Sequence, residues 1–199
     1  MIQWVCERSA ACSAIDEVVV ATDDQRIADA VSAFGGNVQM TSADHPSGTD
    51  RIREAVSLWN TTADLIVNVQ GDEPAMDPDH LTQLLACFDG PVDIATLVTP
   101  VKEQSIFDDP NRVKAVLAAN GKALYFSRSA IPYGREQKNL ALCYQHLGVY
   151  AYRREVLEEI GALPPSPLEI RESLEQLRWL EAGYVIHAAV VDKGAMGVD

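Results

Sequence analysis

Short β-branched runs alternate with stretches of helical spacing along the first hundred residues. Residues 17–22, EVVVAT, have the composition of a buried strand. Asp23 or Asp24 can cap the next segment, DQRIADAVSAF, as a helix, and Gly35-Gly36 can end it. Residues 37–41, NVQMT, return as a strand, so this stretch predicts one β-α-β unit with parallel strands. Residues 1–13 read as a helix, and 49–59 as another with Ile52, Ala55, Val56 and Trp59 on one face. Residues 64–69, DLIVNV, form a further buried strand. Asp77-Pro78 opens a helix whose Leu81, Leu84, Leu85 and Phe88 keep the i, i+3, i+4, i+7 spacing. Residues 92–98 follow as a strand.

The rhythm changes after Pro100. Runs at 112–118 and 123–128 flank Asn120-Gly121, a hairpin signal that implies an antiparallel excursion. A strand at 147–152, a helix at 153–160, a helix from Ser166-Pro167 to Gly183 and a strand at 184–191 complete the pattern. The whole predicts an α/β fold over 1–199: a mixed, mostly parallel sheet sandwiched by helices, with a small antiparallel lobe, as one domain.

Composition narrows the function classes. The chain has 199 residues, 47% of them hydrophobic, which excludes wholesale disorder. Sixteen basic against 29 acidic residues give a net charge of −13, which argues against nucleic acid and against a polybasic membrane anchor. Any anionic ligand must be held by local basic groups working against that field. No apolar run reaches membrane-spanning length, so membrane insertion is not expected. Cys6, Cys12, Cys87 and Cys143 form no C-x-x-C pair, which disfavours a structural zinc or a disulfide framework. The expectation is a cytoplasmic protein with free thiols.

Five segments carry groups able to do chemistry. In LIVNVQGDEP (65–74) an apolar strand runs into Gln70, Gly71 and Asp72. A carboxylate at the carboxyl end of such a strand suits a hard ion such as Mg²⁺, and Gln70 can read a base edge or a sugar; a plain surface turn has the same composition. Ser47, Gly48 and Thr49, in DHPSGTDR (44–51), form a polar loop that either contacts a nucleoside or simply caps a helix. Arg128, in YFSRSAIP (125–132), can clamp a carboxylate or lie solvated at a hairpin end. His146 and Tyr150 lie four apart on one strand and share a face; the histidine can donate to a sugar acid or serve the core. Glu175 and Gln176 sit beside Leu174 and Leu177, reaching a polyhydroxylated substrate or solvent.

Together these segments resemble the 3-deoxy-manno-octulosonate (Kdo) cytidylyltransferases, the CMP-Kdo synthetases of lipopolysaccharide biosynthesis. The matching stretches are VVVATDD (18–24), ADHPSGTDRI (43–52), IVNVQGDEP (66–74), ALYFSRSAIP (123–132), QHLGVYAYR (145–153), SPLEIRESLEQLRWLEAG (166–183) and GVD (197–199). The resemblance implies a nucleotide-diphospho-sugar transferase fold. It implies a nucleotidyltransferase in which the anomeric hydroxyl of Kdo attacks the α-phosphate of CTP, giving CMP-Kdo and pyrophosphate. It also implies Mg²⁺ dependence and a homodimer. Carried over, Asp72 and Asp199 are the catalytic, metal-binding aspartates. Ser47, Gly48, Thr49, Arg51 and Gln70 fall in the cytidine-side segments. Arg128, His146, Tyr150, Glu175 and Gln176 fall in the sugar-acid segments. Members of the family begin with a strand and a basic loop of the pattern P-A-R-x-x-S-x-R-L-P-x-K, and carry a helix after the G-V-D segment. The expectation is therefore a domain without that strand, phosphate loop and closing helix. A remnant that keeps dimerisation and sugar binding, and a cytidylyltransferase for another acidic sugar, stand as alternatives.

Overall fold

The expected β-α-β unit is present. In the computed structural model, which describes residues 1–136 and 139–192, helix α1 (Ile2–Ala10) precedes strand β1 (Val19–Thr22). Helix α2 (Gln25–Ala33) crosses to strand β2 (Asn37–Met40), and the two strands pair in parallel with Val20 opposite Val38. Asp24 caps α2, its carboxylate accepting the Arg26 amide at 2.8 Å. Gly35, at φ 77°, takes the chain out of the helix where an L side chain is strained.

Helix α3 (Gly48–Trp59) follows, capped by Ser47 and closed by Asn60 in the left-handed region. Strand β3 (Leu65–Asn68) and helix α4 (Pro78–Ala86) come next, and Leu81 and Leu84 of α4 are fully buried, as their spacing predicts. A short 3-10 turn, Cys87–Asp89, extends α4.

Strand β4 (Ile94–Pro100) is buried along almost its whole length. A short helix α5 (Gln104–Asp108), which no apolar periodicity announces, leads to strand β5 (Lys114–Leu117). The hairpin expected at Asn120-Gly121 joins β5 to strand β6 (Ala123–Ser127), antiparallel, with Lys114 opposite Ser127. Strand β7 (Tyr144–Arg153) is twice the length of most others and runs straight into helix α6 (Arg154–Gly161). Helices α7 (Pro167–Glu172) and α8 (Gln176–Glu181) precede strand β8 (Ile186–Val190).

The expected single helix from Ser166 to Gly183 is a correction. Its start is as predicted, a capping box in which Ser166 accepts the Glu169 amide and Glu169 accepts the Ser166 amide. Ser173 then turns left-handed, at φ 53°, and the segment splits into α7 and α8.

These elements form two compact units. Met1–Thr82 and Tyr152–Ala162 make the first, in which α6 packs on α3. The contact is close: a Cβ on Gly161 would lie 2.6 Å from Cδ of Arg53. Strand β3 pairs with β7, whose last residues, Tyr152 and Arg153, belong to this unit. The second unit holds Gln83–Ala151 and the described residues from Leu163 onward. Its strands run in the order β6-β5-β7-β4-β8, with β5 antiparallel to both neighbours and β4 parallel to β8. The hairpin tip reaches across to β8, where Gly121 O accepts the Ala188 amide at 2.9 Å and Lys122 bridges His187. Among the described residues no helix is long and apolar enough to cross a membrane.

Candidate functional site

The predicted nucleotide-side residues converge in the first unit. Ser47 spends its hydroxyl on the helix it caps, accepting the Asp50 amide at 3.1 Å and donating to Asp50 Oδ2 at 2.8 Å. Thr49 is buried, whereas Gly48 is exposed on the surface of the turn. A Cβ on Gly48 would lie 4.0 Å from Nε2 of Gln70, so the segments 47–51 and 70–72 meet there. Gln70 is itself exposed, with Nε2 3.4 Å from Oδ1 of the buried Asn68.

Helix α3 also holds the loop that leads into it. Arg51 donates to the Thr41 hydroxyl at 2.8 Å and to Ser42 O at 3.3 Å, and pairs with Asp23 at 3.1 Å. One guanidinium thus ties the ends of β1 and β2 to α3. Glu54, one turn on, accepts the Ser42 amide at 2.8 Å and contacts the His45 ring. The His45 hydrogen bond, then the Ser42 amide, hold the Glu54 carboxyl below its ordinary pKa. The polar loop is therefore a fixed surface around Gly48.

Asp72 stands exposed at the head of the loop after β3 and makes no hydrogen bond or ion pair among the described residues. Glu73 beside it turns the other way. Its Oε2 is buried without a hydrogen-bond partner among the described residues, and burial, then the Asp72 charge, raise its pKa. Among the described residues no three His, Cys, Asp or Glu side chains gather as a metal cluster. An uncommitted, exposed carboxylate nonetheless fits Mg²⁺, which takes one or two protein oxygens and completes its shell with water and substrate phosphate. Asp199 lies outside the described residues.

The predicted sugar-acid residues lie in the second unit. Among the described residues the Arg128 guanidinium is held by main-chain oxygens: Nε donates to Glu172 O at 2.7 Å, Nη1 to Pro110 O at 3.1 Å and Nη2 to Ser173 O at 3.2 Å. A guanidinium has five N–H groups, so one on Nη1 and one on Nη2 stay uncommitted among the described residues. Among the described residues no carboxylate contacts the guanidinium, so these two N–H groups are open to one.

His146 Nε2 lies 2.9 Å from the Thr96 hydroxyl, which is 2.8 Å from Val149 O and 3.3 Å from Leu147 O. Those carbonyls accept the single hydroxyl proton, so Nε2 carries its own hydrogen and donates to Thr96. Nδ1 is left as an acceptor, which suits a hydroxyl better than a carboxylate. Burial lowers the His146 pKa to about 3, so the ring is neutral. Phe126 meets the His146 ring edge-on at 5.0 Å. Tyr150 packs 5.3 Å from His146 and 5.2 Å from Trp179. Gln176 is buried in the first turn of α8. Glu175 faces Arg178 at 3.5 Å, and Arg178 is gripped more closely by Glu169 at 2.6 Å.

Three residues of this unit escaped the sequence reading. Thr96 sits in an apolar strand and shows its use only through His146. Glu172 accepts the Ser127 hydroxyl at 2.7 Å and the Arg128 amide at 3.0 Å. Lys114 is fully buried, and its Nζ donates to Asp109 O at 2.7 Å. A lysine in the strand run RVKAVLA was the available signal. The four cysteines are free thiols, two of them buried.

Residues 1–188 match the cytidylyltransferase family model. A 3-deoxy-manno-octulosonate cytidylyltransferase of Bacteroides thetaiotaomicron is 49% identical over 208 residues, covering 100% of this chain and 82% of that protein. An 8-amino-3,8-dideoxy-manno-octulosonate cytidylyltransferase of Shewanella halifaxensis is 46% identical over 194 residues, covering 96% and 79%. Among solved structures, a CMP:2-keto-3-deoxy-manno-octonic acid synthetase complexed with CTP superposes with a TM-score of 0.94 at 44% identity, covering 100% of this chain and 81% of that one.

Proposed function

The chain belongs to the 3-deoxy-manno-octulosonate cytidylyltransferases, and from that premise we propose which of its residues handle each substrate. It is a nucleotidyltransferase that activates Kdo with CTP. The likeness of the whole chain to a synthetase solved with CTP carries this reading. In the transfer, an oxygen–phosphorus bond forms between the Kdo anomeric hydroxyl and the α-phosphate. The bond to the β-phosphate oxygen breaks, pyrophosphate leaves with the electron pair, and the hydroxyl proton passes to solvent.

Cytidine rests on the fixed surface around Gly48, where the bare glycine lets a ligand approach the backbone and the exposed Gln70 amide offers donors and an acceptor. Ser47, Thr49 and Arg51 act there by holding that surface in shape. Asp72, with Asp199, would hold Mg²⁺, which when bound would supply charge neutralisation on the triphosphate and ease loss of the proton from the attacking hydroxyl.

The Kdo carboxylate takes the unused fork of Arg128, two parallel charge-assisted hydrogen bonds. His146 accepts a sugar hydroxyl at Nδ1, and its neutrality keeps it an acceptor throughout the physiological range. Tyr150 walls the ring, while Glu175 and Gln176 belong to the same sugar-acid group. The protein works as a cytoplasmic homodimer.

The test is to incubate the chain with CTP, Mg²⁺ and Kdo, follow pyrophosphate release and identify the product by mass. CMP-Kdo is the expected product. Preferential use of the 8-amino sugar over Kdo in competition would overturn the choice of substrate.

A further inference from the structure

A buried ammonium normally meets a carboxylate, because an isolated charge in the interior is costly. Lys114 does not. It is fully buried, and among the described residues its one hydrogen bond is to a main-chain carbonyl, Asp109 O. No ion pair relieves it among the described residues, although Asp108, Asp109 and Glu172 lie near enough to act on it electrostatically. The Arg128 charge also reaches it, and repels. Burial is the largest cause lowering its pKa.

The carbonyl it holds belongs to a tight turn. Asp109 O also accepts the Arg112 amide at 3.1 Å, and the Asp109 carboxylate accepts the Asn111 amide at 2.8 Å. Pro110 fixes the turn from its second position. The next carbonyl along, Pro110 O, accepts Nη1 of Arg128. Two cations therefore grip consecutive carbonyls of one turn, one from inside the protein and one at its surface. Register adds a second link, since Lys114 pairs with Ser127, the residue before Arg128.

We infer that Lys114 is a positioning residue for substrate: by fixing the Asp109–Arg112 turn it sets the Pro110 carbonyl, which aims the Arg128 guanidinium at the carboxylate of the sugar acid. The inference rests on the reading of Arg128 as the carboxylate fork. Lys114 itself touches no substrate.

The experiment is calorimetric titration of Kdo and of CTP into the wild-type chain and three variants: Arg128→Met, Lys114→Met and the double variant. Arg128→Met should weaken Kdo binding about tenfold or more, the loss of charge-assisted hydrogen bonds. Lys114→Met should weaken it about fivefold and leave CTP affinity unchanged, with Lys114→Arg restoring part of the loss. In the Arg128→Met background Lys114→Met should cost nothing further. Equal losses in both backgrounds, or equal losses for Kdo and CTP, would mark Lys114 as structural only and overturn the inference. No effect of Arg128→Met would instead sink the reading of the fork. If Lys114→Met does not fold, Pro110→Gly loosens the same turn without touching the buried charge. Kdo affinity unchanged in Pro110→Gly overturns the inference as well.

Discussion

Arg128 and Glu172 hold each other through both main chain and side chain. The Arg128 guanidinium donates to the Glu172 carbonyl, and the Glu172 carboxylate accepts the Arg128 amide. The first contact caps the carbonyl end of α7 with a cation; the second anchors the end of β6. The break between α7 and α8 is thus part of the apparatus that aims Arg128.

Glu172→Gln should be more harmful than its near-identical shape suggests. Both carboxylate oxygens accept, from Ser127 and from Arg128, and an amide offers a donor in place of one of them. A loss of about 1–3 kcal/mol is expected by urea unfolding. Kdo affinity should fall with it, because the Arg128 amide and the Ser127 hydroxyl lose the carboxylate that fixes the backbone from which the guanidinium extends.

Asp72→Asn should leave the fold intact, since the side chain is exposed and makes no hydrogen bond or ion pair among the described residues. Turnover with CTP and Mg²⁺ should fall by about a hundredfold or more, the scale of losing a charge aimed at the reacting phosphates. An undiminished rate would remove Asp72 from the metal site.

His146 makes stability depend on pH. Its folded pKa, about 3, lies below the ordinary histidine value, so between the two the unfolded chain binds a proton that the folded chain refuses. Stability from this group is complete above about pH 6.5 and is lost as pH falls toward 3. Thermal melts should show a decline through that window, and His146→Gln should flatten its slope. A slope identical in both proteins would place the proton elsewhere.

Ser173→Gly offers the opposite sign. The residue sits at φ 53°, where a glycine carries no Cβ penalty. A gain of up to about 1 kcal/mol is expected in equilibrium unfolding, with Arg128 still capping the Ser173 carbonyl.

Much of this architecture is legible in the sequence. Strands at EVVVAT and DLIVNV, a cap at Asp23 or Asp24 and the hairpin at Asn120-Gly121 all rest on local rules; strands lie within both runs, the hairpin is in place, and Asp24 is the residue that caps. The meeting of Gly48 with Gln70 was legible only as two motifs, because their distance in sequence carries no information about contact. The split of α7 from α8 was hidden for a related reason. Local propensity favours one helix through 166–183, and the partner that makes a left-handed Ser173 tolerable is Arg128, 45 residues away. Lys114 was hidden because a charge inside a strand run reads as an edge residue until its burial is known. Helix α5 has only five residues, too few for a period to appear.

The bond between the hairpin tip and Ala188 leaves β8 with more than one neighbour along its length. An outer strand with open amides is a template on which other chains can stack. Here the hairpin acts as a built-in guard over that template, so lengthening its turn should make the protein more prone to aggregate before it alters catalysis.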